Sequence, residues 1–250
     1  MTIDTLLTAN MGRERKYSSS REKTFEHLVE QLTRCFFQKN RTPVLMQDIE
    51  KTLVEFGPAG VDFALVDIMQ NEQVLAEIAS RSYLQGNGFY KIVLIENEHF
   101  NLRFHLYLEG IKAQENIHSH RWWFASLVTL GTLRSEVWVD SASIDAHCFE
   151  EIIYTGKRNA FIPVGDSSLE LQDTQKLRRG ESYICPTDTL HRVLANGNEG
   201  VSATLICRAK KCKGWSRNIV SSGRHPDLEA EYLNSKNLKD LIALYLTRSQ

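Results

Sequence analysis

Two histidines, His118 and His120, are separated by a single residue, and a third, His191, follows 71 positions after His120. In a β-strand alternate residues share a face, so two imidazoles can point at one place while Ser119 faces away. His191 follows the turn-forming Pro186 and begins an apolar run, so a neighbouring strand could bring it to the pair. Three neutral imidazoles suit Fe, Zn, Cu or Ni and leave coordination positions free. The spacing predicts a metal site whose ligands are His118, His120 and His191.

The surroundings of these histidines resemble the two signature motifs of the cupin superfamily, small β-barrels that hold a metal inside the barrel. His118 and His120 match the first motif, with Gly110 and Gly131 near its glycines, and the second is matched by Gly180, Pro186 and His191. The glutamate of the first motif has no counterpart, because Phe124 and Ala125 stand at its two permitted positions. The resemblance implies a mainly β fold with α additions, a cupin-type double-stranded β-helix or jelly-roll barrel.

A first motif without its glutamate resembles that of the thiol dioxygenase branch of the cupins, typified by cysteine dioxygenase. In that branch three histidines alone hold iron(II). The resemblance covers roughly residues 88 to 210, including Phe100, Asn101 and Leu102 ahead of a strand. Ala125 stands where mammalian-type members carry a cross-linked cysteine, and residues 201–207 lack the histidine and tyrosine of their relay. The resemblance implies an Fe(II)-dependent oxygenase with O2 as co-substrate, acting on a small metal-chelating thiol or amino-acid-like molecule.

Side chains near the motifs are candidates for substrate binding and catalysis. In the run 102–108 one face is apolar and the other carries Arg103, His105 and Tyr107, and this polar face either meets solvent or lines a cavity. The aromatic side chains that follow the histidines wall a pocket or pack in the barrel core, and Tyr183 is close to a substrate or simply packs. A lysine or arginine would pair with a substrate carboxylate. The candidate catalytic residues are Tyr107 and Tyr183, and the candidate substrate-binding residues are Lys91, Arg103, His105, Trp122 and Phe124.

The histidines alone leave other functions open. A non-catalytic cupin could bind a small molecule or a metal as a sensor, with the helical N-terminal region mediating association. A metal-dependent isomerase or lyase could use Zn, Ni or Mn, because imidazole ligands do not select the metal, and Cu is a further alternative. No Gly-x-Gly-x-x-Gly or P-loop pattern occurs in the sequence, so an organic nucleotide cofactor is not implied.

Composition limits the partners and the compartment. The 250 residues carry 30 Lys and Arg against 31 Asp and Glu, a net charge of −1, so bulk charge gives no reason to expect nucleic acid or an anionic membrane as partner. The apolar run 124–130 is too short to span a bilayer, and residues 1–16 lack the apolar centre of a signal peptide. Five cysteines at irregular spacing favour free thiols in a reducing compartment. We expect a cytoplasmic protein with a small-molecule substrate; the sequence is compatible with a homodimer.

Periodicity divides the chain into a helical first part and a β-rich middle. Helices are predicted over 22–37, from an N-cap at Thr42 to Phe56 where Gly57 and Pro58 stop the pattern, over 61–84 and over 226–247. Strands are predicted over 90–95, 102–108, 117–128, 133–139, 151–154, 160–164, 183–185, 192–194 and 202–207. These elements predict a flexible arm (1–20), a helical region (21–85), a barrel with the metal site (86–215) and a helical tail (216–250).

Overall fold

Helices precede and follow the β-strands along the chain. A computed structural model describes residues 24–38, 41–110, 115–155, 161–195, 200–220 and 230–250, so the predicted arm over residues 1–20 lies outside them. The helices in this described part are α1 (Phe25–Phe37), α2 (Thr42–Gln70), α3 (Glu72–Ser80) and, at the end, α4 (Ser235–Ser249).

Antiparallel strands fill the region between α3 and α4. They are β1 (Tyr83–Gln85), β2 (Phe89–Glu96), β3 (Asn101–Tyr107), β4 (Ile117–His118), β5 (Phe124–Leu130), β6 (Thr132–Asp140), β7 (His147–Tyr154), β8 (Phe161–Arg178), β9 (Ser182–Cys185), β10 (Leu190–Ala195), β11 (Ser202–Arg208), β12 (Ser216–Val220) and β13 (Glu231–Tyr232). A first sheet has the order β13-β1-β2-β3-β11-β5-β9, and a second closes as β10-β4-β12-β7-β8-β6. The predicted mainly β fold with α additions, a double-stranded β-helix with an N-terminal helical region, is confirmed.

Local sequence signals set the helix ends. The hydroxyl of Thr24 accepts a hydrogen bond from the backbone N–H of His27 at 3.2 Å and caps the start of α1. α2 is interrupted at Gly57, whose φ of 68° is accessible to glycine at little cost, and Pro58 lacks the N–H that an uninterrupted helix would use. The prediction that Thr42 is an N-cap is wrong by one residue, because Arg41 occupies the N-cap position, without a capping hydrogen bond from its side chain, and Thr42 is already helical.

The main hydrophobic core lies between the helices and one face of the first sheet. On β3, Leu102, Phe104 and Leu106 are fully buried in it. The ring of Phe104 meets that of Tyr245 from α4 edge-on, with centroids 4.9 Å apart. The alternation of β3 therefore sends its apolar residues toward the helices, and Arg103, His105 and Tyr107 toward the interior between the sheets.

Several predicted boundaries change in the structure. Residues 83–85 form β1 rather than the end of a helix, because they pair with β2 and with β13. The single strand predicted over 117–128 is two strands, β4 and β5, with residues 119–123 outside both. The strand predicted over 160–164 continues to Arg178, where it pairs along β6 and β7. β12 was not predicted as a strand, and the helix predicted over 226–247 begins only at Ser235.

Within the described ranges no helix combines the length and the apolar character that a membrane crossing requires. All five cysteines are free thiols.

Candidate metal centre and cavity

The three histidines lie together in the interior of the β-structure. Their imidazole ring centroids are 4.6 Å apart for His118 and His120, 4.8 Å for His118 and His191, and 4.9 Å for His120 and His191. The Nε2 atoms of His120 and His191 are 2.8 Å apart. One nitrogen from each ring lies within 4.8 Å of the other two, which is the arrangement of a cluster that could hold one metal ion.

Backbone pairing brings the histidines together from two parts of the chain. His118 ends β4 and stands directly opposite His191 of β10 in the antiparallel register. His120 follows the strand, contrary to the prediction of one continuous strand through both residues. Its position is fixed by Ser119, which binds the backbone of Arg217 twice: the Ser119 N–H donates to the Arg217 carbonyl, and the Ser119 hydroxyl accepts from the Arg217 N–H, both at 3.0 Å. Ser119 therefore turns toward β12 while the flanking imidazoles turn inward.

The protonation states of the cluster suit metal binding. The Nδ1 of His118 lies 2.8 Å from the carbonyl oxygen of Asn116, and since a carbonyl only accepts, Nδ1 donates this hydrogen bond and Nε2 is the nitrogen that would bind a metal. Burial lowers the pKa of His120 and of His191 well below the usual histidine value, and the neighbouring His118 lowers both further. Neutral imidazoles are the form that coordinates metals, so the donor set fits a transition-metal ion.

A cavity of about 450 Å³ opens beside the histidines. The ring of His120 contacts the ring of Trp122, with centroids 5.6 Å apart, and meets that of Phe124 edge-on at 5.0 Å. Sequence analysis left open whether the polar face of β3 meets solvent or a cavity, and the structure places it on the cavity. All predicted site residues line this space: Lys91, Arg103, His105, Tyr107, His118, His120, Trp122, Phe124, Tyr183 and His191.

The polar residues of β2 and β3 are buried against one another. The Nζ of Lys91 donates to Oε1 of Gln85 at 3.0 Å, and burial, with Arg103 nearby, lowers the pKa of Lys91 to about 7. Burial lowers the pKa of His105 well below its usual value, and its Nε2 has no hydrogen-bond partner among the described residues. Burial and repulsion from Arg208 lower the pKa of Arg103 to about 10. This wall therefore carries buried basic groups that no acidic group fully neutralises.

The two candidate catalytic tyrosines differ in their contacts. The hydroxyl of Tyr107 donates to Oε1 of Glu115 at 3.4 Å, whereas the ring of Tyr183 packs edge-on against Phe124 with centroids 5.8 Å apart. Burial raises the pKa of both phenols above the usual tyrosine value. Each phenol therefore keeps its proton at neutral pH and can donate a hydrogen bond.

Sequence reasoning missed three charged residues of the cavity wall. Glu115 is buried, accepts a hydrogen bond from the Val193 N–H at 3.3 Å, and burial raises the pKa of its carboxyl group. Arg121 and Arg208 both lie close to the ring of Trp122. Arg121 directly follows His120 and Glu115 stands three residues before His118, so both could have been considered from the sequence. Arg208 reaches the cavity only through the pairing of β11 with β3.

Comparison with known proteins gives similarity at the level of solved structures. No protein-family model and no curated protein matches the chain. An RmlC-like cupin from Shewanella frigidimarina is 14% identical, with a TM-score of 0.34, over 52% of this chain and 83% of that one. The hydroquinone 1,2-dioxygenase PnpCD, in complex with Cd2+ and 4-hydroxybenzonitrile, is 17% identical, with a TM-score of 0.31, over 60% and 74%. The DMSP lyase DddQ from Ruegeria pomeroyi is 10% identical, with a TM-score of 0.33, over 57% of this chain and 54% of that one.

Proposed function

We propose that this protein is a mononuclear non-haem iron(II) oxygenase that acts on a small, anionic, metal-chelating substrate such as a thiol or an amino-acid-like molecule. The observation that carries the proposal is the convergence of three imidazoles on a cavity with aromatic walls. Within the described part of the chain the cluster contains no carboxylate donor. Three neutral ligands leave the full charge of a divalent ion for an anionic substrate.

Iron(II) at this position would supply the redox chemistry that activation of dioxygen requires. The protein's own residues do the remaining work. Trp122 and Phe124 flank His120 and exclude water from the reacting groups. Arg103 pairs with a negative group of the substrate and orients it toward the histidines. Lys91, with a pKa of about 7, takes up a proton when the substrate binds as an anion.

The tyrosines complete the proposed site as hydrogen-bond donors. Tyr183, which packs on Phe124 in the cavity wall, keeps its proton and donates a hydrogen bond to an oxygen or sulfur atom of the substrate. Tyr107 is held through Glu115, whose other oxygen accepts from the Val193 N–H on β10, two residues after His191. His105 stays neutral and offers a further donor or acceptor. The free thiols of the chain fit a cytoplasmic location, which is part of the proposal.

The first test is the metal content of the protein after anaerobic loading with Fe(II) and removal of unbound metal. We expect about one iron per chain in the wild type and its loss in His191→Ala, since one of three ligands is missing. His147→Ala is the matched control, because His147 is exposed on β7 and outside the cluster. Circular dichroism of each variant would verify that the fold is kept.

Oxygen consumption by the loaded protein, with a panel of small thiols, amino acids and hydroxy acids, then tests the reaction. Uptake of O2 with iron and one substrate class, and none with zinc, supports the oxygenase. Turnover with Zn, Ni or Mn and no O2 uptake would favour an isomerase or lyase instead. Absence of bound metal in the wild type would overturn the proposal and leave a binding barrel.

A further inference from the structure

Three arginine side chains surround a single indole ring at the end of the cavity next to His120. The guanidinium carbons lie 5.5 Å (Arg103), 5.3 Å (Arg121) and 4.6 Å (Arg208) from the ring centroid of Trp122. They come from different elements: Arg103 from β3, Arg208 from β11, and Arg121 from the segment between β4 and β5. The fold therefore brings three like charges to one place, and their mutual repulsion is unfavourable. A purely structural role for any one of these arginines would not require the other two beside it.

Acidic partners for these arginines are few. In the described residues neither Arg103 nor Arg121 forms an ion pair, and Arg208 lies 3.6 Å from a carboxylate oxygen of Glu96, a residue that is itself largely exposed. The Nε of Arg208 is buried and has no hydrogen-bond partner among those residues. Arg121 is buried beside a second aromatic ring, with its guanidinium carbon 5.0 Å from the ring centroid of Tyr154. The Nε of Arg103 donates to Oδ1 of Asn101 at 2.6 Å, and Nη1 of Arg208 donates to the carbonyl oxygen of Ala209 at 3.4 Å. These neutral partners leave the positive charges uncompensated, which is costly away from water unless an anionic ligand completes the site.

The charge count indicates the missing partner. Three guanidinium groups set against the one carboxylate of Glu96 leave two positive charges unbalanced at this end of the cavity. At the other end the cavity holds one basic and one acidic side chain, Lys91 and Glu115, which attract one another. The only acidic side chain among the described residues that line the cavity is Glu115. A singly charged carboxylate would leave one charge uncompensated, whereas a dianion would balance the group.

We propose that Arg103, Arg121 and Arg208 bind a tetrahedral dianionic oxyanion, the terminal group of a phosphate monoester, with Trp122 as the ring that holds the guanidinium planes. Three guanidinium forks beside one ring match a group with three terminal oxygens better than the two oxygens of a carboxylate. The indole lowers the cost of placing the cations side by side through cation–π attraction. A sulfate ester offers three terminal oxygens with one charge less, so the two anions are distinguishable by affinity.

The position of this anion site indicates the class of substrate. Trp122 contacts both the arginines and the ring of His120, so a phosphate held there lies beside the histidine cluster. The substrate would then be a small phosphorylated molecule whose other end carries the metal-chelating group. This assignment to the substrate rests on the proposed function, whereas the anion site itself depends only on the arginines.

Titration of the metal-free protein with inorganic phosphate, in the presence of a chelator and followed by calorimetry, tests the anion site without any contribution from iron. We expect saturable binding of one phosphate per chain. Arg121→Gln and Arg208→Gln should each weaken this binding at least about tenfold, since a charge-assisted hydrogen bond contributes about 1.5–3 kcal/mol. Arg134→Gln is the matched control: Arg134 is 56% exposed and pairs with Glu136 outside the cavity, so binding should not change.

Further ligands and variants make the result specific. Acetate should bind at least about tenfold more weakly than phosphate, and methyl sulfate, a monoanion with three terminal oxygens, should lie between them. Arg208→Lys, which keeps the charge and loses the fork, should be intermediate between wild type and Arg208→Gln. Equal phosphate affinity in all variants, no saturable binding, or acetate binding as tightly as phosphate would each overturn the proposal. Phosphate binding in a protein that takes up no iron would keep the anion site and reject the proposed oxygenase.

Discussion

The two faces of strand β3 differ in how fully their groups are satisfied. Toward the helices Leu102, Phe104 and Leu106 are completely buried among apolar neighbours. Toward the cavity the same strand presents Arg103, His105 and Tyr107. Six buried side-chain polar atoms in the described residues lack a hydrogen-bond partner, and four of them belong to cavity-lining residues: His105, His191, Thr204 and Arg208. Unsatisfied groups are rare in folded proteins, so their concentration around the cavity, which the polar face of β3 lines, indicates a surface that serves a ligand and not stability.

The largest difference between the two faces should appear in a substitution on the helix side. Phe104→Ala removes a fully buried ring that packs edge-on against Tyr245 and leaves a cavity in the main core. We expect a loss of about 3–5 kcal/mol in the free energy of unfolding. Urea denaturation followed by circular dichroism measures it directly.

The neighbouring residue on β3 provides the matched control. His105→Leu exchanges a buried neutral imidazole, whose Nε2 lacks a partner, for an apolar side chain. Because no hydrogen bond of that atom is lost, the free energy of unfolding should stay the same or increase. If His105→Leu destabilises the protein as much as Phe104→Ala, the cavity face serves stability and the distinction between the faces fails.

The contrast between the faces also explains which parts of the structure the sequence could predict. The alternation along β3 and the helical spacing of α1 and α2 are local, so each appears in the order of residues. The spacing of His118 and His120, with His191 after a turn, belongs to motifs that are continuous in sequence, and the structure places the three rings together. These features could be found without knowing which strands pair.

The missed features depend on pairing between distant segments. Arg208 faces the cavity because β11 lies beside β3, a relation that no local pattern encodes. The turn that carries His120 depends on β12, whose residues Ser216–Val220 have too little alternation to stand out as a strand. The prediction of one strand over 117–128 failed for the same reason, because contacts of Ser119 with the backbone of Arg217 compete with continuation of the strand.

A second prediction concerns the buried lysine on the cavity face. The pKa of Lys91 is lowered from 10.5 to about 7 in the folded protein. Between pH 7 and 10.5 the unfolded chain therefore holds a proton that the folded protein has lost, so this residue makes the free energy of unfolding rise with pH, by at most about 1.4 kcal/mol per unit. In Lys91→Met that contribution is absent. The variant should be more stable than wild type at pH 7, with an advantage that shrinks toward pH 9.

Urea unfolding at pH 7, 8 and 9 measures this difference, and comparison with wild type cancels the titration of the other groups. Lys51→Met is the control, because Lys51 is 75% exposed on α2 beside Glu55 and its replacement should give the same pH slope as wild type. Parallel slopes for wild type and Lys91→Met would show that Lys91 is charged in the folded protein at pH 7 to 9 and is neutralised there by its neighbours.

The smallest expected effect on stability tests what holds the three histidines of the cluster in place. Ser119→Ala removes the hydroxyl that accepts the Arg217 N–H at 3.0 Å, which should cost about 1 kcal/mol in the free energy of unfolding. Metal affinity should fall further, about tenfold to a hundredfold, because this contact orients the segment between His118 and His120. Competition with a chelator measures the affinity.

Ser143→Ala is the control for this variant. It removes a hydroxyl that accepts the Asp145 N–H in an exposed loop and should leave the affinity unchanged. Unchanged affinity in Ser119→Ala would mean that the histidine positions are set by the strand pairing of His118 with His191 and the packing of His120 alone.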